Sequence, residues 1–223
     1  MTQWLVVAGN IGVGKSTLTH MLADRLAWEP LYEAVDDNPY LSDFYTDMPR
    51  WSFHSQTFFL TRRLQQIREI ERSEHPIVQD RSIYEDAEVF ARNLYNQGNM
   101  TQRDWHLYRD LYEYVVELLP SPTLVVYLRA SVNTLVNRIK LRGRDYERRI
   151  NPGYLARLNA LYDLWVENYA RSPVLTVPAD DLDFVTHGAH FDLIVEKIEA
   201  VFRGVTEVSF APEEIARALE HAA

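Results

Sequence analysis

An apolar run at residues 4–8 leads straight into Gly9-Asn10-Ile11-Gly12-Val13-Gly14-Lys15-Ser16, and a helical pattern follows over residues 15–26. Strand, glycine-rich loop and helix in that order leave few folds open. The eight residues match G-x-x-x-x-G-K-[ST] at every position. Glycines let the backbone curl so that its N–H groups face a polyphosphate. The helix start adds positive potential at the same point. Lys15 is spaced to reach the β and γ phosphates of a nucleoside triphosphate, and the Ser16 hydroxyl to ligate Mg²⁺. Gly9 to Ser16, with Thr17 next, are therefore the expected ATP-binding set. A chance glycine-rich turn would lack the flanking strand and helix.

The loop names a ligand class and leaves the phosphate acceptor open. A GTPase would carry D-x-x-G and N-K-x-D, and neither string occurs in the chain. A motor or transporter ATPase would be larger or repeated. A small-molecule kinase is the leading class.

Downstream, apolar runs alternate with helical patterns. Strands are expected at residues 31–33, 76–80, 123–128 and 174–177. Helices are expected at 51–71, 83–95, 101–119, 132–141, 153–169 and 192–202. Residues 123–128 are continuously apolar, as in a strand buried on both faces. The alternation predicts an α/β fold with a parallel sheet of about five strands. No repeat or linker divides the 223 residues, so one domain is expected. Its loop-like breaks fall at 96–99 and 141–152, and a peripheral helix or tail occupies about 205–223.

Composition narrows the partners. Hydrophobic residues make up 47% and charged ones 25%, which argues against disorder. Cysteine is absent, excluding disulfides, thiolate metal sites and a cysteine nucleophile, and fitting a reducing compartment. The net charge of −9 argues against a general nucleic-acid coat. The apolar run at 4–8 is far short of the ~20 residues that span a bilayer, and Met1-Thr2-Gln3 lacks the cationic start of a signal peptide. The expectation is a cytoplasmic protein with neither nucleic-acid nor membrane partners.

Carboxylates and arginines at strand ends supply the rest of a kinase. Glu33 closes the segment Leu31-Tyr32-Glu33, and a carboxylate at the C-terminal end of a parallel strand points into the ligand crevice. There it can take a proton from an attacking hydroxyl. In Asp80-Arg81-Ser82, Asp80 can help hold Mg²⁺ and Arg81 can contact a phosphate. Asp or Ser before Ile83 is equally a good helix cap, and one residue can do both. Arg138, Arg142 and Arg144 are the densest basic cluster, and Arg138 and Arg142 share a helix face. A transferring phosphoryl group would sit well among them. The alternative is a solvated charge run partnered by Asp145 and Glu147.

With these pieces in place, the chain resembles the deoxynucleoside kinase family, and within it the bacterial deoxyadenosine/deoxycytidine kinases. The resemblance runs from Gly9 to about Phe202. It rests on the phosphate loop, Asn38-Pro39-Tyr40-Leu41 with Phe44-Tyr45, Arg50-Trp51-Ser52-Phe53-His54-Ser55-Gln56, Asp80-Arg81-Ser82-Ile83-Tyr84-Glu85-Asp86, and the basic cluster from Arg138 to Arg144. It implies a P-loop kinase fold, ATP as phosphate donor, Mg²⁺, and a deoxynucleoside acceptor. In this family's terms Glu33 resembles the base for the sugar 5′-hydroxyl. Tyr45 and Glu147 resemble the pair on the 3′-hydroxyl. Gln56 resembles the reader of the base edge and Phe90 the ring stacked on it. Arg63 and Asp86 match a charged pair beside the base. Arg138, Arg142 and Arg144 match a lid over the phosphates, about 138–152. Asp183-Phe184 resembles the loop near the adenine of ATP. Ala34, Asn38 and Asp80 differ from the animal enzymes, which have Pro, Trp and Glu there, and agree with the bacterial branch.

Spacing adds a view of the substrate. Gln56, Phe59, Leu60 and Arg63 lie on one helix face, and Asp86 and Phe90 on another. Facing each other, they make a slot with an amide, a charged pair and a ring. Phe59 and Phe90 are also plausible core residues, and Arg63–Asp86 a plausible structural ion pair. An amide matches the amino group and ring nitrogen of adenine or cytosine. Thymine would set acceptor against acceptor, at a cost of ~1–3 kcal/mol. Deoxyadenosine is thus the first expected substrate, with deoxycytidine and deoxyguanosine behind it. A nucleoside monophosphate kinase of thymidylate kinase type, and a non-catalytic nucleotide-binding subunit, are the competing readings. The resemblance also implies a homodimer through long helices, or a mixed dimer with a related kinase. The aromatic helix at 101–119 has apolar residues on more than one face, as a dimer helix or a central core helix would.

Overall fold

The computed structural model describes residues 3–33, 37–144, 150–206 and 208–220. Five strands form one parallel sheet in the order β2-β3-β1-β4-β5. They are β1 Trp4–Gly9, β2 Glu29–Leu31, β3 Ile77–Asp80, β4 Leu124–Arg129 and β5 Val174–Pro178. The central strand β1 sets Val7 opposite Asp80 of β3 and Gly9 opposite Leu128 of β4. Both β1 and β3 are buried along their whole length, because helices cover both faces of the sheet. Alternation along β1 feeds two cores. Trp4, Val6 and Ala8 pack with Leu60 and Ile67, Tyr108 and Tyr112, and Leu158 and Tyr162. Leu5 and Val7 pack with Leu18 and Leu22, Leu135, and Ile194 and Ile198. The expected α/β fold with five parallel strands is present.

The helices that place the site are α1 Lys15–Leu26, α2 Leu41–Thr46, α3 Met48–Arg72, α4 Ile83–Glu85, α5 Arg92–Asn96, α6 Gln102–Leu118, α7 Val132–Arg142 and α8 Pro152–Asn168. Two more, α9 Gly188–Phe202 and α10 Pro212–Glu220, pack together near the C-terminus. Asp47 caps α3 by accepting from Arg50 N, with Pro49 in the first turn. That cap starts the helix three residues before the apolar periodicity becomes visible.

Besides the start of α3, three elements depart from expectation by more than one residue. The strand expected at 31–33 is displaced to Glu29–Leu31. Its register against Ile77–Gln79 and the bond from Glu29 N to Pro76 O (2.9 Å) pin the earlier residues, so Glu33 lies two residues past the strand. The helix expected at 83–95 widens into a π-helical stretch, Asp86–Ala91, between α4 and α5. Finally, α9 begins at Gly188, four residues before the expected start.

The C-terminal ends of the strands gather the phosphate loop after β1, Glu33 after β2, Asp80 and Arg81 at β3, and Asp183 beyond β5. Close packing constrains the loop at two glycines. A Cβ on Gly9 (φ +143°) would stand 2.6 Å from Leu128 O, and one on Gly12 (φ +81°) 2.5 Å from Ile139 Cγ1. Only glycine meets both the backbone angle and the space.

Candidate active site

The phosphate loop is held on all sides. Lys15 is buried, and its Nζ donates to Asn10 O at 3.0 Å. Burial, and after it the Arg81 charge, lowers its pKa to about 8. Asn10 accepts from Ile11 N at 2.7 Å, and its Nδ2 donates to Leu155 O and Asn159 Oδ1 of α8. The Arg138 guanidinium donates to Val13 O (2.7 Å) and Ala179 O (2.9 Å). It thereby fastens α7 and the end of β5 to the loop. Phe184 is buried against Gly14, so it packs under the loop. Asp183 accepts from the backbone N–H of Val185 and Thr186 and from the Thr186 hydroxyl. The Thr186 hydroxyl bond is the main reason its carboxyl stays below the usual range.

Ser16 Oγ donates to Asp80 Oδ2 at 2.5 Å. The other carboxylate oxygen, Asp80 Oδ1, is buried and has no hydrogen-bond partner among the described residues. A serine hydroxyl beside a carboxylate with one uncommitted oxygen suits Mg²⁺, a hard cation that takes oxygen ligands.

Two clefts open on this loop. One of about 290 Å³ is lined by Tyr45, Gln56, Phe59, Phe90 and Tyr154, with Glu33, Asp80 and Arg81 at its inner end. The other, of about 560 Å³, is lined by the loop, Thr17, Arg138 and residues 183–186. Gly12, Lys15, Ser16, Arg142 and Arg144 line both. A group bound in one cleft can therefore meet a group bound in the other over Lys15.

At the inner end of the smaller cleft, Glu33 Oε1 accepts from Arg81 Nη1 (2.9 Å) and Arg63 Nη2 (3.2 Å). Burial opposes the Glu33 charge, but Arg81, Arg63, Lys15 and Arg144 together outweigh it and hold the carboxyl below its usual range. Arg63 also donates to Asp86 Oδ2 (2.9 Å), Gln66 Oε1 (2.9 Å) and Asp80 O (3.2 Å). Gln66 in turn donates to Tyr32 O and accepts from Gln79. The Arg81 guanidinium lies 4.2 Å from the centre of the Phe90 ring, a cation–π distance. Arg81 itself sits at φ +64°, an uncommon region for a bulky residue.

The structure brings Gln56, Phe59 and Phe90 together on the cleft wall as their spacing implied. The Arg63–Asp86 pair forms, but neither residue lines the cleft. Both are buried behind the wall, and Arg63 reaches the site through Glu33. Glu147, and with it the expected lid between 145 and 149, lies outside the described residues. Tyr154, Asn159 and Gln66 were not anticipated. Glu85 was missed too, although Ser82 and Glu85 form a capping box, a pattern legible as S-x-x-E.

A family model described as "Deoxynucleoside kinase" matches residues 5–203. Deoxyadenosine/deoxycytidine kinase of Bacillus subtilis is 38% identical over 199 residues, covering 88% of this chain and 92% of that protein. Deoxyguanosine kinase of the same organism is 30% identical over 200 residues, covering 88% and 96%. Among solved structures, deoxyadenosine kinase from M. mycoides with the products dCMP and dCDP bound superposes with a TM-score of 0.79 at 34% identity. That match covers 89% of this chain and all of that one. The same kinase with bound dATP gives a TM-score of 0.78. The sheet, the loop and these likenesses agree on a P-loop kinase fold, and the chain belongs to the deoxynucleoside kinase family.

Proposed function

We propose that this chain transfers the γ-phosphoryl group of ATP to the 5′-hydroxyl of a deoxynucleoside, deoxyadenosine first, yielding the monophosphate for nucleotide salvage. Deoxycytidine and deoxyguanosine are the next acceptors. The observation that carries the reading is the pair of clefts sharing Lys15, Ser16, Arg142 and Arg144. ATP occupies the larger and the nucleoside the smaller.

In this reading Glu33 orients the 5′-hydroxyl and takes its proton. Lys15, Arg81, Arg142 and Arg144 balance charge on the γ-phosphoryl group, while Arg138 and Asp183-Phe184 shape the donor cleft. Ser16 and Asp80 would hold Mg²⁺, which when bound would supply neutralisation of negative charge on the donor phosphates. Gln56 reads the base edge between Phe59 and Phe90. Tyr45, with Glu147, takes the 3′-hydroxyl. Arg63 and Asp86 support this wall from behind. Most of the rate enhancement comes from positioning and electrostatics.

The proposal extends to assembly and location. On α6, Leu107, Leu111, Tyr114 and Leu118 are all exposed at 4-3-4 spacing, the period of a helix seam. Tyr108, Tyr112 and Val116 of the same helix are buried. That second apolar stripe supports a homodimer through α6. Among the described residues no helix is long and apolar enough to cross a membrane, and the reading places a single-domain enzyme in the cytoplasm.

The test is phosphate transfer from Mg·ATP by the purified chain to deoxyadenosine, deoxycytidine, deoxyguanosine, thymidine and deoxyadenosine monophosphate in parallel. Turnover on an amino-bearing nucleoside, with thymidine and the monophosphate inert, is expected. Turnover on deoxyguanosine alone would keep the kinase and reject the Gln56 argument. Turnover on the monophosphate alone, or on nothing, would reject the reading.

A further inference from the structure

The reaction as proposed makes no use of Glu85, a fully buried carboxyl next to the phosphate loop. Its Oε1 accepts from Gly9 N at 3.1 Å. Its Oε2 accepts from Ser82 N at 2.9 Å and from the Ser82 hydroxyl at 3.2 Å. One carboxyl thus spans the first peptide of the loop and the turn that follows Asp80 and Arg81.

Tyr162 of α8 closes the arrangement. Its hydroxyl lies 2.8 Å from Gly9 O and 2.9 Å from Glu85 Oε1. A phenol has one proton to give. Both contacts are hydrogen bonds together when Glu85 holds a proton and donates it to Tyr162, which donates to Gly9 O. The groups acting on Glu85 are Arg81 from its own turn, Lys15 from α1, and the hydroxyls of Tyr162 and, on β4, Tyr127. Burial outweighs the two cations and pushes the Glu85 carboxyl up, in keeping with that hydrogen count. Leu155 and Asn159, which hold Asn10, precede Tyr162 by seven and three residues. The same face of α8 therefore grips two consecutive residues of the loop.

We propose that Glu85 and Tyr162 are positioning residues for the donor phosphates, gripping Gly9 by both its N–H and its C=O, one in each of the two peptide units that flank its Cα, and locking the phosphate loop to the Asp80-Arg81-Ser82 turn. The inference rests on the reading of the loop as the donor site. Misplacing reacting groups by ~1 Å can cost ~10²-fold in rate, and here one carboxyl bridges the donor loop and the acceptor-side turn.

Tyr162→Phe removes the hydroxyl and keeps the ring stacked on Tyr127 (centroids 5.7 Å apart). Glu85→Gln sets an amide N–H₂ against one of the two backbone N–H donors. Calorimetric titration with Mg·ADP and, separately, with deoxyadenosine tests both variants without turnover. The expected result is an ADP affinity about tenfold weaker in each, with deoxyadenosine affinity within about twofold of wild type and cooperative melting retained. The double variant should lose no more than the worse single one, because the two side chains touch each other and both hold Gly9. Unchanged ADP affinity in both variants overturns the proposal, as does an equal loss for both ligands or full additivity. Wild-type chain that binds Mg·ADP yet phosphorylates no deoxynucleoside would strike the acceptor reading alone.

Discussion

Glu33 and Arg81, which follow different strands, meet at 2.9 Å at the inner end of the smaller cleft. Arg81 holds a backbone angle of φ +64° there, a conformation that costs of order 1–3 kcal/mol. The ion pair and the cation–π contact with Phe90 offset part of that cost. The pair fixes the carboxylate in one orientation and holds it below its usual range, so that in its proposed role Glu33 would work more through alignment than through strong basicity.

Glu33→Gln should therefore lower kcat by ~10²–10⁴ while leaving deoxyadenosine affinity within a few-fold. Because the Glu33 carboxyl is held below 4.5, its ordinary value, the wild-type acid limb of kcat/KM should fall below that pH. The same lowering stabilises the fold above the ordinary value and is lost as pH falls through the native one. Steady-state kinetics of the variant, with a wild-type pH profile, decide it. Near-normal turnover removes Glu33 as the base.

Lys15 has the opposite linkage. Its pKa of about 8 means that it is part-neutral in the free protein just above that pH. A bound triphosphate favours the ammonium form. ATP binding at pH 8.5 should take up protons, and affinity should fall as pH rises through 8 and beyond. Calorimetry in buffers of different ionisation enthalpy measures the uptake. None at all would remove Lys15 as the phosphate contact.

Arg63→Met should be structurally expensive. It would leave the buried Asp86 carboxylate without its guanidinium and Glu33 with one fewer. Breaking a buried pair from one side costs about 3–5 kcal/mol, which for a chain of this size lowers Tm by roughly 10 °C. Denaturant titration showing a loss under about 1 kcal/mol would mean that the network holds without it.

Leu111→Glu should split the proposed dimer. A charge in the middle of the exposed stripe on α6 faces its own copy across a two-fold axis. Sedimentation velocity at micromolar concentration should return a dimer for wild type and a monomer for the variant, with α6 still folded. A wild-type monomer would reject the seam.

Much of this arrangement is local and therefore legible in the sequence. The phosphate loop needs only eight contiguous residues between a strand and a helix, because backbone N–H groups and the helix start do the binding. The inner strands β1 and β4 declared themselves through apolar runs, since a parallel sheet covered on both faces needs apolar side chains on each. Gln56, Phe59 and Phe90 were readable because helical periodicity puts them on faces that can meet.

What the periodicity did not contain were relations between segments distant in the chain. The edge strand β2 slid to Glu29–Leu31 because pairing with β3, not the residues' own preference, sets its register. Arg138 has the sequence of a lid arginine, yet two carbonyls from the loop and the β5 end claim its guanidinium. Asp86 pairs with Arg63 behind the cleft wall, where the π-helical widening places it. Local sequence thus specified the phosphate loop, the α/β class and the residue types of the site. Long-range packing decided which of those side chains face the ligand and which hold the others in place, because burial and hydrogen-bond partners are properties of neighbours in space and not in sequence.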